Sequence, residues 1–152
     1  MVARILAVED DPIQAKTLAA LLRGIYDVSL AASGEACLEA TRREAFDLVL
    51  LDVVLPGRSG YEVCRDLKSR PETADLPVIF LSANAGLEDR LQGFEAGGFD
   101  YLGKPVVKDE LVRKIDLLLA YVAEMKTLKE AADMAASAAM TAMTSAAEQG
   151  LV

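Results

Sequence analysis

Four short apolar runs in this chain each end at side chains that can handle a metal ion or a phosphoryl group. The runs and the residues that follow them are Ile5–Val8 with Glu9 and Asp10, Leu48–Leu51 with Asp52, Val78–Leu81 with Ser82, and Tyr101–Leu102 with Lys104. Short apolar runs that are bounded by turn formers and separated by helical patterns are typical of buried parallel strands. Because ligands bind beyond the carboxyl ends of such strands, we expect these side chains to meet at one edge of a sheet.

The order of the elements predicts a three-layer α/β domain. Five predicted strands alternate with five helical patterns, which favours a doubly wound parallel sheet with a (βα)5 connection pattern. In the flavodoxin-like strand order 2-1-3-4-5, the topological switch point lies between the first and third strands. Those strands end at Glu9-Asp10 and at Asp52, so the sequence predicts a ligand site between them.

Turn formers and capping residues set the predicted boundaries of the elements. Asp11-Pro12 favours a helix start, because Pro suits the first helical position and Asp can accept hydrogen bonds from the free N–H groups. Ser59 and Glu62 have the spacing of a capping box. Besides the strands Ile5–Val8 and Val78–Leu81, the predicted strands cover Tyr26–Ala31, Asp47–Asp52 and Phe99–Gly103. The predicted helices run from Pro12 to Gly24, Ser33 to Glu44, Ser59 to Ser69, Gly86 to Ala96 and from Val107 onward.

One long helix is predicted for the C-terminal part of the chain. After Pro105 the only Gly or Pro is Gly150, so residues 107–148 can form a single helix. Its apolar positions alternate four and three apart, as in a coiled-coil seam: Leu111, Ile115, Leu118, Val122 and Met125. We expect a globular domain over residues 1–123 and an Ala-rich helical extension over residues 124–152. The extension would pair with a partner helix, as in a homodimer, or be partly disordered beside a missing effector domain in a shortened chain.

Composition and charge exclude several classes of function. The net charge of −8 and the lack of a basic run argue against a nucleic-acid surface. No uninterrupted apolar stretch of about 18 residues is present, which argues against a membrane span. With no signal peptide at the N-terminus and with Cys37 and Cys64 expected as free thiols, we expect a cytoplasmic protein.

The complete absence of His limits the chemistry further. It excludes Ser-His-Asp and Cys-His triads and His-ligated zinc within this chain. It also means that a phosphoryl group carried on histidine has to arrive from another protein.

The predicted site has the chemistry of a phosphoryl-accepting centre. Glu9, Asp10 and Asp52 would repel one another unless a cation joins them, and oxygen ligands without His or Cys suit Mg²⁺. A carboxylate beside such an ion can act as a nucleophile towards phosphorus and form an aspartyl phosphate. Lys104 could neutralise the phosphoryl oxygens, and Ser82 could donate a hydrogen bond to them.

Residues 1 to about 123 resemble the CheY-like receiver domain of bacterial two-component response regulators. The segments that carry the resemblance are Ile5–Asp11, Leu51–Gly57 together with Gly60, Phe80–Ala83 and Tyr101–Pro105. The resemblance implies Asp52 as the phosphoacceptor and Lys104 as the residue that binds the phosphoryl group. It also implies that Asp10, Asp52 and the backbone carbonyl of Val54 hold Mg²⁺, with Glu9 contacting the ion directly or through water.

The resemblance further implies a switch, a partner and a role. Ser82 and Tyr101 would form the conformational switch, and a histidine kinase or a histidine phosphotransfer protein would donate the phosphoryl group. The chain would be a signalling domain that catalyses only its own phosphorylation and dephosphorylation. Val54 occupies a position where family members often carry polar side chains that influence the hydrolytic water. We therefore predict a comparatively long-lived phosphoryl group.

Three alternatives remain open at this stage. The chain could be a degenerate receiver that acts only as a protein-interaction module. It could be an Mg²⁺-dependent phosphohydrolase with an aspartyl nucleophile, although such enzymes need a second acid where Val54 stands. It could also bind a nucleotide or flavin, although no Gly-rich loop follows the first strand. The sequence does not identify the kinase, the pathway or the output domain.

Overall fold

The computed structural model describes residues 2–150 and contains one five-stranded parallel sheet in the order β2-β1-β3-β4-β5. The strands are β1 (Arg4–Val8), β2 (Asp27–Ala31), β3 (Leu48–Asp52), β4 (Val78–Ser82) and β5 (Asp100–Gly103). The helices are α1 (Pro12–Leu22), α2 (Gly34–Arg43), α3 (Gly60–Ser69), α4 (Leu87–Glu95) and α5 (Lys108–Glu148). The predicted flavodoxin-like (βα)5 fold, its strand order and its extended last helix are confirmed. Predicted boundaries differ from the observed ones by up to two residues.

The register of the sheet places the functional candidates at one edge. β3 and β4 are buried along their whole lengths, as expected for central parallel strands. Asp52 pairs with Leu81, and Ser82 pairs with Gly103 on the neighbouring strand. The backbone N–H of Lys104 donates to the carbonyl of Ser82 at 2.8 Å. Neighbouring strands therefore end within one residue of each other at the same edge of the sheet.

Side-chain caps begin three of the helices at the predicted places. Asp11 Oδ1 accepts from the N–H of Ile13 at 2.9 Å, directly before Pro12 in the first turn of α1. Ser33 and Ser59 cap α2 and α3 in the same way. Each such cap is worth about 1 kcal/mol, because it satisfies an N–H group that has no partner within the helix. The cap of α1 is important for the site, because it fixes the chain directly after Glu9 and Asp10.

The chain divides into two compact units, of which the first ends at Asp116 and the second begins at Leu117. The first unit holds the sheet, and it buries Leu111 and Ile115 from the start of α5. In the second unit, the side chains of residues 123–145 are all exposed. No helix within residues 2–150 is long and apolar enough to cross a membrane.

Candidate functional site

Three carboxylates meet where the polypeptide leaves β1 and β3. One oxygen from each of Glu9, Asp10 and Asp52 lies within 4.8 Å of the others. Glu9 and Asp52 are buried, with 3% and 5% of their surfaces exposed, whereas Asp10 is exposed. A cleft of about 520 Å³ opens above them and is lined by Glu9, Asp10, Asp11, Gln14, Asp52, Val54, Leu55, Pro56, Ala83 and Lys104. The arrangement gives a small molecule or a partner side chain access to otherwise buried acids.

The ammonium group of Lys104 joins the two buried acids. Its Nζ donates to Glu9 Oε1 at 2.8 Å and to Asp52 Oδ2 at 2.7 Å. A third hydrogen bond, at 2.7 Å, goes to the amide oxygen of Gln14. An ammonium has three protons, so all of them are used and the side chain is held over the cleft. Lys104 therefore lies at the same edge of the sheet as Glu9 and Asp52, within hydrogen-bonding distance of both.

Gln14 was not identified from the sequence. It lies on α1, one turn after Asp11, and its Nε2 donates to Asp11 Oδ2 at 3.2 Å while its oxygen accepts from Lys104. The only signal in the sequence is the i, i+3 spacing from the helix cap, which places both side chains on one face of the helix. Such spacing is common in helices that have no functional site, so it does not single out this residue.

The charges in the cleft do not balance. Burial, followed by the proximity of Asp52, raises the pKa of Glu9 to about 7, although Lys104 partly opposes the shift. Burial alone would lower the pKa of Lys104, but its hydrogen bonds to Asp52 and Glu9 outweigh that effect and raise it. One fixed cation thus faces two buried carboxylates and the exposed Asp10. Surplus negative charge of this kind favours proton uptake or the binding of a cation.

The donor set fits a hard divalent cation such as Mg²⁺. The cluster offers carboxylate oxygens only, at least one of them facing solvent, which suits an ion that keeps several waters. Val54, the predicted backbone ligand, has its N–H bonded to Asp52 Oδ1 at 2.9 Å. This hydrogen bond holds the Asp52 carboxylate, and the side chain of Val54 is 70% exposed at the mouth of the cleft.

Gly60 allows the loop after β3 to close against the site. A Cβ atom at this position would lie 2.2 Å from the backbone oxygen of Asp52. The N–H of Gly60 donates to the carbonyl of Val53 at 2.8 Å, which ties the start of α3 to the end of β3. The loop therefore turns tightly past Asp52, and only a residue without a side chain fits.

Ser82 and Tyr101 are joined through the β4–α4 loop. Ser82 is buried, and its Oγ accepts from the N–H of Asn84 at 3.0 Å. The Tyr101 hydroxyl donates to the carbonyl of Asn84 at 3.0 Å, and the ring is 4% exposed. A second tyrosine hydroxyl, that of Tyr61 on α3, lies 2.8 Å from it. The sequence did not identify Tyr61, because an apolar or aromatic residue early in a helix is usually only part of the core.

The model of the response regulator receiver domain family matches residues 5–116. The response regulator PleD of Caulobacter vibrioides is 43% identical over 107 residues, which cover 70% of this chain and 24% of that protein. This chain spans about a quarter to a half of the length of the curated relatives that it matches.

Two solved structures show the same similarity in three dimensions. The receiver domain of the sensor histidine kinase PA1611 from Pseudomonas aeruginosa has a magnesium ion coordinated in its active site cleft. It is 34% identical, with a TM-score of 0.73, and the match covers 79% of this chain and 99% of that one. A CheY-like receiver domain protein from Methanospirillum hungatei is 30% identical, with a TM-score of 0.74 and coverage of 82% and 99%.

Proposed function

Since this chain belongs to the response regulator receiver domain family, we propose that Asp52 is the residue on which it accepts a phosphoryl group. Phosphorylation of an aspartate with the help of Mg²⁺ is a general property of this signalling family. Receiver domains of response regulators interact with histidine kinases, and a histidine kinase or a histidine phosphotransfer protein is the donor that we propose here. The chain would act as a phosphoryl-accepting domain and catalyse only its own phosphorylation and dephosphorylation.

The observation that carries the proposal is the position of Lys104 between two buried carboxylates. Its Nζ lies 2.7 Å from Asp52 and 2.8 Å from Glu9. A carboxylate held by a lysine at an open cleft can attack phosphorus, and the same lysine can then pair with the transferred oxygens. A residue with a purely structural role would not need this exposed cleft above it.

The proposed reaction is a direct transfer to Asp52. One oxygen of Asp52 attacks the phosphorus of a phosphohistidine on the partner, so that a P–O bond forms while the P–N bond breaks. The electron pair of the P–N bond stays on the imidazole, which takes up a proton from solvent and leaves neutral. During the transfer, Lys104 and the Ser82 hydroxyl donate hydrogen bonds to the phosphoryl oxygens.

Asp10, Asp52 and the backbone carbonyl of Val54 would hold Mg²⁺, with Glu9 contacting the ion directly or through water. The ion would neutralise charge on the phosphoryl oxygens. Support for this assignment comes from the all-oxygen cluster and its surplus negative charge. The related Pseudomonas receiver domain has a magnesium ion coordinated in its active site cleft, which also supports the assignment.

Phosphorylation would act through Ser82 and Tyr101 on the surface formed by α4 and β5. The receiver would occupy residues 1–123, and residues 124–152 would form a dimerisation helix or a linker to an effector domain. We further propose that the chain works in the cytoplasm without binding nucleic acid or membrane. The negative net charge and the two free, buried cysteines support this part of the proposal.

The test is phosphorylation by acetyl phosphate, followed by intact mass measurement. We expect a gain of one phosphoryl group that requires Mg²⁺ and is lost in Asp52→Ala. Asp47→Ala is a matched control, since Asp47 precedes the opposite end of the same strand. No mass gain under any condition would instead support the alternative, a degenerate receiver that acts only as a protein-interaction module.

A further inference from the structure

Two tyrosine hydroxyls and two backbone carbonyls form a small buried cluster between α3, α4 and β5. The hydroxyl oxygens of Tyr61 and Tyr101 are 2.8 Å apart. Tyr101 also lies 3.0 Å from the carbonyl oxygen of Asn84, and Tyr61 lies 3.2 Å from that of Asp89. Three hydrogen-bonding contacts are therefore shared by two hydroxyl groups.

The two hydroxyls cannot make all three contacts at once, because each has a single proton to donate. If Tyr61 donates to Asp89 while Tyr101 donates to Asn84, the two hydroxyl oxygens face each other without a proton between them. The two arrangements that avoid this conflict form relays in opposite directions. In one, Tyr61 donates to Tyr101, which donates to Asn84; in the other, Tyr101 donates to Tyr61, which donates to Asp89.

The distances and the helix favour the relay that ends at Asn84. The contact of Tyr101 with Asn84 is shorter than that of Tyr61 with Asp89. The carbonyl of Asp89 lies inside α4, where the backbone four residues later can also donate to it. The carbonyl of Asn84 belongs to the loop before α4 and has no helical partner. In this relay, the Tyr101 oxygen accepts one hydrogen bond and its proton makes another.

Packing around the rings restricts the same two residues. Phe80 packs against both rings, with its ring centroid 5.1 Å from that of Tyr61 and 5.9 Å from that of Tyr101. On the α4 side, a Cβ atom at Gly93 would approach Tyr101 to 3.1 Å, so the helix backbone already lies close to the ring. The inward position of Tyr101 thus depends on a close-fitting pocket. Within residues 2–150, Tyr61 is the only tyrosine whose hydroxyl contacts the Tyr101 hydroxyl.

We propose that Tyr61 is a positioning residue that holds Tyr101 in its inward conformation through this hydroxyl relay. The proposal rests on the proposed function, in which Tyr101 is a switch residue. Tyr61 lies on α3, directly after the loop that leaves Asp52, and Asn84 is the residue whose N–H contacts Ser82. The relay therefore connects Tyr101 to α3, which follows the loop after Asp52, and to Asn84, which contacts Ser82. Through these contacts, Tyr61 favours the inward conformation of Tyr101.

The experiment compares Tyr61→Phe with the unsubstituted full chain, using NMR of ¹³C-labelled tyrosine rings. Loss of one buried hydrogen bond should reduce the ratio of inward to outward Tyr101 by about three- to tenfold. The Tyr101 ring signal should accordingly move towards that of an exposed tyrosine. Tyr26→Phe is the control, because it removes a hydroxyl that contacts Asp116 and no member of the cluster.

A titration with beryllofluoride and Mg²⁺ provides the functional readout. If the inward conformer is the one favoured by phosphorylation, Tyr61→Phe should weaken beryllofluoride binding. The loss of affinity should not exceed the change in the conformer ratio, which is about three- to tenfold. In a Tyr101→Phe background, the same substitution should have less than about a twofold effect, because the relay is already broken.

An unmoved Tyr101 signal in Tyr61→Phe, or an equal effect in both backgrounds, would overturn the proposal. Failure of the unsubstituted chain to bind beryllofluoride would instead contradict the proposed function. The two failures are distinguishable, because the ring position is measured before any phosphoryl analogue is added.

Discussion

At the scale of single residues, Glu9 is the group whose protonation the site controls most strongly. It accepts a hydrogen bond from Lys104, lies close to Asp52 and is almost completely buried. Burial and the neighbouring carboxylate raise its pKa from 4.5 to about 7. Near neutral pH, therefore, we expect Glu9 to lose its proton when a metal ion binds in the cleft.

The raised pKa of Glu9 leads to a prediction on stability. The pKa of Glu9 is 4.5 in the unfolded chain and about 7 in the folded chain, so between these pH values the folded chain binds the proton more tightly. Its contribution to the free energy of unfolding should consequently fall as pH rises through that window. Urea denaturation in EDTA from pH 4.5 to 8 measures this decline. We expect a smaller decline in Glu9→Gln, and identical pH profiles for the two proteins would contradict the assignment.

Magnesium should change this dependence of the free energy of unfolding on pH, because the ion competes with the proton for the carboxylates. We expect the apparent affinity for Mg²⁺ to rise as pH increases towards about 7 and then to level off. Adding Mg²⁺ should stabilise the chain more at pH 8 than at pH 5.

We predict that Val54 influences a second property at this scale, the lifetime of the phosphoryl group. Its exposed apolar side chain stands two residues after Asp52 and offers no hydrogen bond to an attacking water. Val54→Asn introduces an amide that can hold such a water, so we expect hydrolysis to become several-fold faster, about three- to tenfold. The decay of the phosphorylated mass after removal of acetyl phosphate gives the rate. Val54→Leu should decay like the unsubstituted chain, and an unchanged lifetime in Val54→Asn would count against this role.

At the scale of elements, the junction between β3 and α3 is the least tolerant part of the site. Gly60→Ala would place a methyl group 2.2 Å from the Asp52 carbonyl oxygen, which belongs to the backbone and cannot rotate away. We expect a loss of about 1–3 kcal/mol in the free energy of unfolding and slower phosphorylation. Urea denaturation and the acetyl phosphate assay measure the two effects.

Gly103→Ala is the matched control for Gly60→Ala. It also lies beside the cleft, but a Cβ atom there would meet Ala85 at 3.5 Å, an ordinary contact. Equal losses of stability in the two variants would show that the close approach to Asp52 is not the cause.

The elements also show what the sequence could predict about this site. The strand ends that carry Asp52, Ser82 and Lys104 were predictable, because apolar runs mark parallel strands and parallel strands end at one edge. The contacts of Gln14 and Tyr61 were not. They depend on how α1 and α3 are rotated against the sheet, and a one-residue change in that rotation would move either side chain away.

At the scale of the whole molecule, the start of the long helix α5 is buried and its later part is exposed to solvent. Leu111 and Ile115 belong to the buried core of the first unit. Farther along, large apolar side chains are exposed, including Met134, Met140 and Met143 at 70% or more. A lone helix with such a surface is marginally stable in water. The two compact units divide between Asp116 and Leu117, and the boundary between residues 123 and 124 stays a prediction.

Ending the chain after Ala123 tests this division. We expect the shortened chain to fold and to accept a phosphoryl group at the same rate, since every residue of the cleft precedes that point. If residues 124–152 form a homodimer, the full chain should sediment as a dimer and the shortened one as a monomer. The helix should gain stability by pairing, so its melting should depend on protein concentration. Monomeric full-length protein at all concentrations, with unchanged melting, would leave the linker role as the explanation for this segment.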